Sequence, residues 1–343
     1  MDDPPRLHTE QSPTTAVLNL AAGFGVFQAM CVAAKLGIPD FFADGPKSVD
    51  TVAKLAKVHT QSLYRLLRAL ASAGIFTEDD NAVFQNSPLS EVFRTDAPGS
   101  LRPYLIMVGG PEFWRSWGEL LYSVKTGKPA FDHVYGVPLF DYLSTHPEPA
   151  RIFDDAMASR SAADIAAMLA VYDFSYAKCV VDIGGGNGAL LTAILNAFPH
   201  LEGVLFDLPH VVESARSLKR RPEISGRICF QSGDFFGEIP SGGDAYILKK
   251  VIHDWPDDKA QEILQHCRQA MSPESRLMLI ESVVPPGNEG TFTKFLDLWM
   301  MVWPGGRERT EIEYRELLKS AGLSLRKIIP TRSPISVIEA TPT

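Results

Sequence analysis

The feature that most constrains this chain is the run Val180–Val181–Asp182–Ile183–Gly184–Gly185–Gly186–Asn187–Gly188, followed at once by an apolar helical segment from Ala189 to Ala197. A β-branched strand that breaks into glycines and re-enters as a helix suits close approach of the backbone to a nucleotide, because glycine lacks the Cβ that would hold a ligand off. In an open α/β sheet that ligand lies beyond the carboxyl ends of the strands.

The surrounding pattern agrees. Apolar runs at Cys179 to Ile183, Gly203 to Phe206, Ile228 to Phe230, Ala245 to Leu248, Leu277 to Ile280 and Ile335 to Ala340 alternate with helix-length amphipathic segments. Strands buried on both faces and separated by helices predict a mainly parallel, doubly wound sheet. Three of the strand ends carry acids. Asp182 precedes the glycines in a D-x-G-x-G-x-G pattern, where a carboxylate can meet the ammonium of a methionine moiety but would repel a pyrophosphate. Asp207 ends the next strand, where it can accept from both ribose hydroxyls. Asp234, in Gly233–Asp234–Phe235–Phe236, pairs an acceptor for an adenine amino group with an aromatic face. Singly, Asp234 reads as a turn cap and Phe235 as a core residue; in register with the other two acids they read as a nucleoside site. Gly184, Gly186 and Ala189 also satisfy the relaxed dinucleotide fingerprint, so the loop alone leaves an NAD(P)-dependent enzyme in competition, and Asp182 weighs against it.

Residues 14 to 170 have mostly helical periodicity, as in Leu63, Leu66, Leu67 and Leu70. Ser48 to Leu55, Thr60 to Ala73 and the Glu78–Asp79–Asp80–Asn81 turn before Val83–Phe84 spell helix, helix, hairpin, a winged-helix pattern. Gln61, Arg65 and Arg68 on the second helix would be the nucleic-acid contacts. Charge opposes that use: 33 basic against 41 acidic residues leave a net charge of −8, and phosphate binding is built from lysine and arginine. Dimerisation is the better reading of the helix pair.

The length of 343 residues suits two domains, and 45% hydrophobic with 22% charged residues is the usage of a soluble globular protein. Cys31, Cys179, Cys229 and Cys267 share no metal-ligand or disulfide spacing, so no metal is expected and a reducing cytoplasm fits. The N-terminal stretch to Pro13 is acidic and does not read as a signal peptide. No uninterrupted apolar run looks long enough to cross a bilayer. The longest, Ala16 to Leu36, contains Asn19, Gly23, Gly25, Gln28 and Lys35 and reads as a buried or dimer-forming helix, so no membrane partner is expected.

Five motifs in order, Val181–Asp182–Ile183–Gly184–Gly185–Gly186–Asn187–Gly188, Phe206–Asp207–Leu208–Pro209, Gly233–Asp234–Phe235–Phe236, Leu248–Lys249–Lys250–Val251–Ile252–His253–Asp254–Trp255 and Pro304–Gly305–Gly306–Arg307–Glu308–Arg309–Thr310, resemble the class I plant-type small-molecule O-methyltransferases. The family includes caffeate and acetylserotonin O-methyltransferases and relatives from bacterial and fungal secondary metabolism. The resemblance covers nearly the whole chain. It implies a Rossmann-like S-adenosylmethionine-binding domain with a mainly parallel seven-stranded sheet over residues 166–343, and a helical, winged-helix-like dimerisation and lid domain over residues 1–165. It further implies a homodimer that turns S-adenosylmethionine into S-adenosylhomocysteine, with the Gly184, Gly186 and Gly188 loop at the methionine portion, Asp207 beside Leu208 at the ribose, Asp234 and Phe235 at the adenine, and Lys249 on another part of the cofactor.

The same resemblance nominates His253 as general base, with Glu281 and Glu308 as its supporting acids. From the residues alone, His253 follows a strand ending at Leu248–Lys249 and precedes a helix starting near Pro256, which sets it on the cofactor edge of the sheet. A hydroxyl attacks a sulfonium methyl in line only as it loses its proton, a task for an imidazole near its own pKa held by an acceptor on its other nitrogen. A lone histidine at a strand end is more often a cap, and Glu308 could simply pair Arg307 or Arg309; the motif context reverses both readings.

For the acceptor, relatives use the helical domain, a residue of the partner subunit near the N-terminus, and the helix before Pro-Gly-Gly. The matching positions here are Phe27, Met107, Phe113, Trp114, Phe153, Met157, Asp254, Asp297, Met300 and Trp303, with Leu296 and Trp299 nearby. At least half of these read equally well as ordinary core, and Asp297 as a locally paired helix residue. Aromatic and methionine lining suits an apolar, aromatic, hydroxylated acceptor. Trp303 stands where many plant members have an asparagine, so a plant phenylpropanoid is not implied. The fold could also serve N- or C-methylation or a non-methylating reaction; retention of His253, Glu281 and Glu308 favours O-methylation. A winged-helix regulator with a degenerate enzyme domain would show a damaged cofactor loop, and this loop is intact.

Overall fold

The computed structural model describes residues 12–216, 218 and 222–343; the acidic stretch 1–11 lies outside them. The contacts divide the chain into two compact units, residues 1–114 with 148–160, and residues 115–147 with 161–343.

The second unit is built on seven strands: β1 (Cys179–Ile183), β2 (Glu202–Asp207), β3 (Ile228–Ser232), β4 (Ala245–Lys249), β5 (Arg276–Glu281), β6 (Leu323–Pro330) and β7 (Ser336–Pro342). They lie in the order β6-β7-β5-β4-β1-β2-β3. The first five are mutually parallel, while β7 runs antiparallel between β5 and β6. Alternation sorts the side chains to two cores. Val180, Leu205, Ala245 and Ile247 pack with Leu190, Leu191, Ile194 and Leu195 of the Ala189–Ala197 helix on one face. Val181, Ile183, Tyr246 and Leu248 pack with Ile263, Leu264, Tyr314 and Leu318 on the other. Helices on both faces are what continuous apolar strands require. The chain leaves β1 for β2 on one side and returns to β4 on the other, so the sheet reverses direction at the end of β1, where open α/β folds bind ligands. Register fixes that edge: Ile183 lies beside both Phe206 and Leu248, and Lys249 beside Ile280.

Six of the seven strands are those the apolar runs mark, and β6 is the one that they miss. It is an edge strand whose burial alternates and which carries Ser324, Arg326 and Lys327, so it lacks the continuous apolar signature of its neighbours.

In the first unit the Val49–Ala56 and Thr60–Ser72 helices are followed by a hairpin of Phe76–Glu78 with Val83–Asn86, and Lys47–Ser48 adds a third strand. The long first helix, Pro13–Leu36, corrects one expectation. It is continuous through Asn19, Gly23, Gly25 and Gln28 and, with a mean hydropathy of 1.7, is long and apolar enough to span a bilayer by length and composition. Two in-line glycines and a few polar residues cost helix propensity but do not break the ladder. Its C-terminal turns are buried at Cys31, Ala33 and Ala34, whereas Leu18, Leu20 and Phe24 are exposed in the single chain.

Candidate active site

Three elements deliver the cofactor-edge residues. The loop after β1 turns through left-handed glycines at Gly184, Gly186 and Gly188 (φ +67°, +56° and +74°), a conformation that a side chain would strain. Crowding adds to this: a Cβ on Gly188 would lie 2.4 Å from Leu218, and one on Gly185 would meet the Asp182 carboxylate at 2.9 Å. The Asn187 side chain accepts from the Ala189 N–H (3.1 Å) and so covers one free amide of the helix that follows. Asp182 is buried behind this loop, and its Oδ2 has no hydrogen-bond partner among the described residues. Burial first, and then Asp207 nearby, lift its carboxyl to about 7 against the pull of Lys249. Burial also lowers Lys249, together with repulsion from Lys250, to about 8. A buried, unsatisfied carboxylate behind a cradle that side chains would fill fits a cationic amino group there.

Asp207 stands at the crevice with its carboxylate turned onto the backbone, accepting from Gly186 N (2.8 Å) and Leu208 N (2.7 Å). A carboxylate has about four lone-pair sites, which leaves capacity for two hydroxyls. Leu208 is exposed beside it. Asp234 closes its own turn by accepting from Phe236 N (2.9 Å), so the capping reading is realised, and Phe235 packs edge-on against Phe236 and Trp255 with ring centroids 5.1 and 6.0 Å away.

After β4 the chain turns sharply. Lys250 is left-handed (φ +53°), its N–H bonds Ile280 O (3.1 Å), and its ammonium is 2.5 Å from the buried Asp164 carboxylate. Glu281, fully buried at the end of β5, then accepts from both Val251 N (3.0 Å) and Ile252 N (2.9 Å). Both bonds end on the one oxygen Oε1, and they hold the short turn Ile252–Asp254 on which His253 sits. His253 Nδ1 is 2.8 Å from Glu308 Oε1 and 3.8 Å from Glu281 Oε2, and its Nε2 is 3.5 Å from Asp254 Oδ1. Donation from Nδ1 to Glu308 leaves Nε2 as the free basic nitrogen of the neutral ring. Burial by itself would lower the imidazole, but Glu281, Asp254 and Glu308 outweigh it and hold the group up to about 10. The same burial raises Glu281 to about 7 and Asp254 to about 6. The carboxylates thus raise the imidazole above the ordinary histidine value that the sequence suggests.

His253, Glu281 and Glu308 offer ligand atoms within 4.8 Å of one another, which is also metal-ligand spacing. Nδ1 is directed to Glu308 and Glu281 Oε1 to two amides, while Glu281 Oε2 and Glu308 Oε2 are buried without hydrogen-bond partners among the described residues.

The Pro-Gly-Gly segment is pressed against this turn. Arg307 N donates to His253 O (2.8 Å), and a Cβ on Gly306 would lie 2.0 Å from the same oxygen. Neither arginine takes Glu308. Arg307 pairs with Asp257 (3.1 Å) and Glu313, while the fully buried Arg309 reaches Asp257, Ile252 O and Trp255 O. Gly306, Arg309 and Lys250 stand in the motifs, but sequence reasoning gives them no role, and it does not name Asp164. The Gly305–Gly306 pair after Pro304 is the one available signal.

The acceptor candidates fall in both units. In the first, Phe27 stacks on Trp114 (6.0 Å) and Phe113 on Phe153 (6.4 Å); Met107 and Phe113 are core residues at 2% exposure, and Met157 is half-buried. In the second, Met300 and Trp303 are buried, Asp254 is half-buried beside His253, and Asp297 accepts from Glu308 N (2.8 Å). Trp303 packs on Trp299, with centroids 5.1 Å apart.

Residues 117–324 match the O-methyltransferase domain family and residues 18–96 its dimerisation domain. The chain belongs to the O-methyltransferase family. It is 41% identical to the phenazine O-methyltransferase PhzM of Lysobacter antibioticus over 96% of both chains, and 36% identical to the mitomycin biosynthesis 6-O-methyltransferase of Streptomyces lavendulae over 96% of this chain and 97% of that one. Its fold is similar to that of CalO1, a methyltransferase in calicheamicin biosynthesis, in the SAH-bound form, with a TM-score of 0.88 at 30% identity, covering 97% of this chain and all of that one. This O-methyltransferase uses S-adenosylmethionine and is a homodimer.

Gly306→Ala tests the packing of the His253 turn. Overpacking at a 2.0 Å approach predicts a loss of roughly 1–3 kcal/mol in urea unfolding. It also predicts a fall in turnover of about 100-fold, since the base and Glu308 are displaced together.

Proposed function

We propose that this O-methyltransferase moves a methyl group from S-adenosylmethionine to a hydroxyl of a small aromatic secondary metabolite, with His253 as general base. The observation that carries the reading is the 2.8 Å contact of His253 Nδ1 with the buried Glu308 carboxylate, two residues beyond Val251, whose side chain lies 3.0 Å from where a Gly184 Cβ would sit. Base and glycine loop are thus neighbours. The names of a phenazine O-methyltransferase and a 3-amino-4-hydroxybenzoate 4-O-methyltransferase among the relatives support an aromatic acceptor.

The cofactor supplies a methyl on a sulfonium, and the chain supplies orientation and a proton acceptor. Asp207 holds the ribose hydroxyls, Asp234 and Phe235 the adenine, the Gly184–Gly188 loop with Asp182 the amino-acid end, and Lys249 an acidic portion nearby. Glu308 fixes the tautomer that leaves Nε2 facing the acceptor, and Glu281 fixes the turn. The carboxylates that face His253 raise its pKa. A positive charge brought to the neighbouring loop opposes them and lowers it, any proton the ring holds passing to solvent, so that the neutral ring can take the acceptor's proton. Asp254, Met300 and Trp303 are the acceptor-contact candidates of the catalytic unit, and Phe27, Trp114, Phe153 and Met157 those of the helical one, where Met107 and Phe113 fill the core. The exposed apolar side of the Pro13–Leu36 helix is the subunit interface, and the enzyme works in the cytoplasm.

Labelled methyl transfer to a panel of phenols and hydroxylated quinones tests the reaction. His253→Ala should keep its affinity for S-adenosylhomocysteine in calorimetry and lose about 100- to 10,000-fold in turnover. Asp207→Ala should instead weaken that affinity about 10- to 100-fold. Equal loss of cofactor affinity in both variants would remove the division of roles. For the interface, Leu20→Asp with Phe24→Asp should convert the dimer into monomers in light scattering; a dimer that survives both charges would place the contact elsewhere.

A further inference from the structure

Asp297 sits on the Thr291–Val302 helix, and the chain returns to it eleven residues later, where the Glu308 N–H donates to its Oδ1 at 2.8 Å. Glu308 is buried and spends Oε1 on His253 Nδ1. The backbone leading into Glu308 is held at two adjacent points, Arg307 N on His253 O and Glu308 N on Asp297 Oδ1. The first bond ties the segment to the histidine's backbone. The second sets the rotation of the Glu308 peptide, from which the carboxylate is aimed. Further restraints flank it, with Gly305 N on Met300 O (2.9 Å), Arg309–Thr310 paired in parallel with Val283–Val284, and the buried Arg309 guanidinium on Asp257, Ile252 O and Trp255 O; the Asp297 bond is the one made to the Glu308 amide itself.

We propose that Asp297 is a positioning residue for methyl transfer: by holding the Glu308 backbone, it aims the Glu308 carboxylate at His253 and so fixes the tautomer and orientation of the imidazole. This rests on the reading of His253 as the base, and it gives Asp297 a role that acts through Glu308. The 2.8 Å bond from the Glu308 amide to Oδ1 carries that role.

The test is NMR on the full-length dimer with 13C,15N-labelled histidine, with His253 assigned by the signal lost in His253→Gln. The groups facing the imidazole are Glu281 from β5, Asp254 from its own turn and Glu308; those facing Asp297 are Glu308, Arg307 and Glu313. Asp297→Ala frees Glu308 and should lower the His253 pKa by about one unit, a tenfold change in its acid constant, with loss of the hydrogen-bonded Nδ1 proton. Asp297→Asn keeps an oxygen for the Glu308 amide and should leave the His253 titration close to wild type. Affinity for S-adenosylhomocysteine should be unchanged in both. An unaltered titration in Asp297→Ala overturns the proposal, as does an Asn variant that loses the Nδ1 proton; the Asn result stands even where the Ala variant does not fold. These readouts need no acceptor, so a fully active His253→Gln would end the general-base reading separately from the hydrogen-bond result for Asp297.

Discussion

The active edge depends on one buried carboxylate. Glu281 ends a central strand and accepts the two amides that a tight turn after β4 would otherwise leave without partners. Buried amides without partners are costly. The carboxylate therefore acts as a prosthetic strand end, and the turn it stabilises carries His253 out to the nucleotide side. Everything that follows, Glu308 against Nδ1 and the Pro-Gly-Gly segment against the His253 carbonyl, is assembled on that turn.

The arrangement concentrates like charge. Glu281, Glu308 and Asp254 surround one imidazole, and burial penalises each ionised form. The cluster is tolerated because the ring's proton is shared among groups that all need it. The guanidinium of Arg309, entirely buried, also braces the carbonyls of Ile252 and Trp255 from behind. On the other side, the Lys250 ammonium on Asp164 ties the turn's first residue to the end of the Pro147–Leu169 helix. Such frustration is common where function requires it and the rest of the fold supplies the stability. Here that support is two continuous cores, one on each face of the sheet.

Much of this is legible in the chain. Strand periodicity gives six of the seven strands, and the glycine turn fixes both the switch point and the helix after it, because those signals are local. The acids at three strand ends follow from the same register. What the residues hide is long-range. The edge strand β6 alternates and looks amphipathic. The need for glycine at 306 exists only because the His253 carbonyl arrives there from 53 residues earlier. The bond from Asp297 to the Glu308 amide spans a loop whose path no spacing predicts. The Pro13–Leu36 helix shows the converse failure: polar interruptions read as breaks in a spanning segment do not break the helix. Acceptor-pocket residues are the least legible, since an aromatic in a helical unit has the same sequence signature whether it meets a ligand or, like Met107 and Phe113, fills the core.

The central claim is that the carboxylates around His253 raise its affinity for a proton and that positive charge at the glycine loop lowers it. It is tested most directly by calorimetry of S-adenosylmethionine and S-adenosylhomocysteine binding in buffers of different ionisation enthalpy. The two ligands differ by the sulfonium methyl and its charge. The account predicts that only the sulfonium ligand releases a proton near neutral pH, and that His253→Gln abolishes the difference. Equal proton release by both ligands, or a difference that survives in His253→Gln, would contradict it.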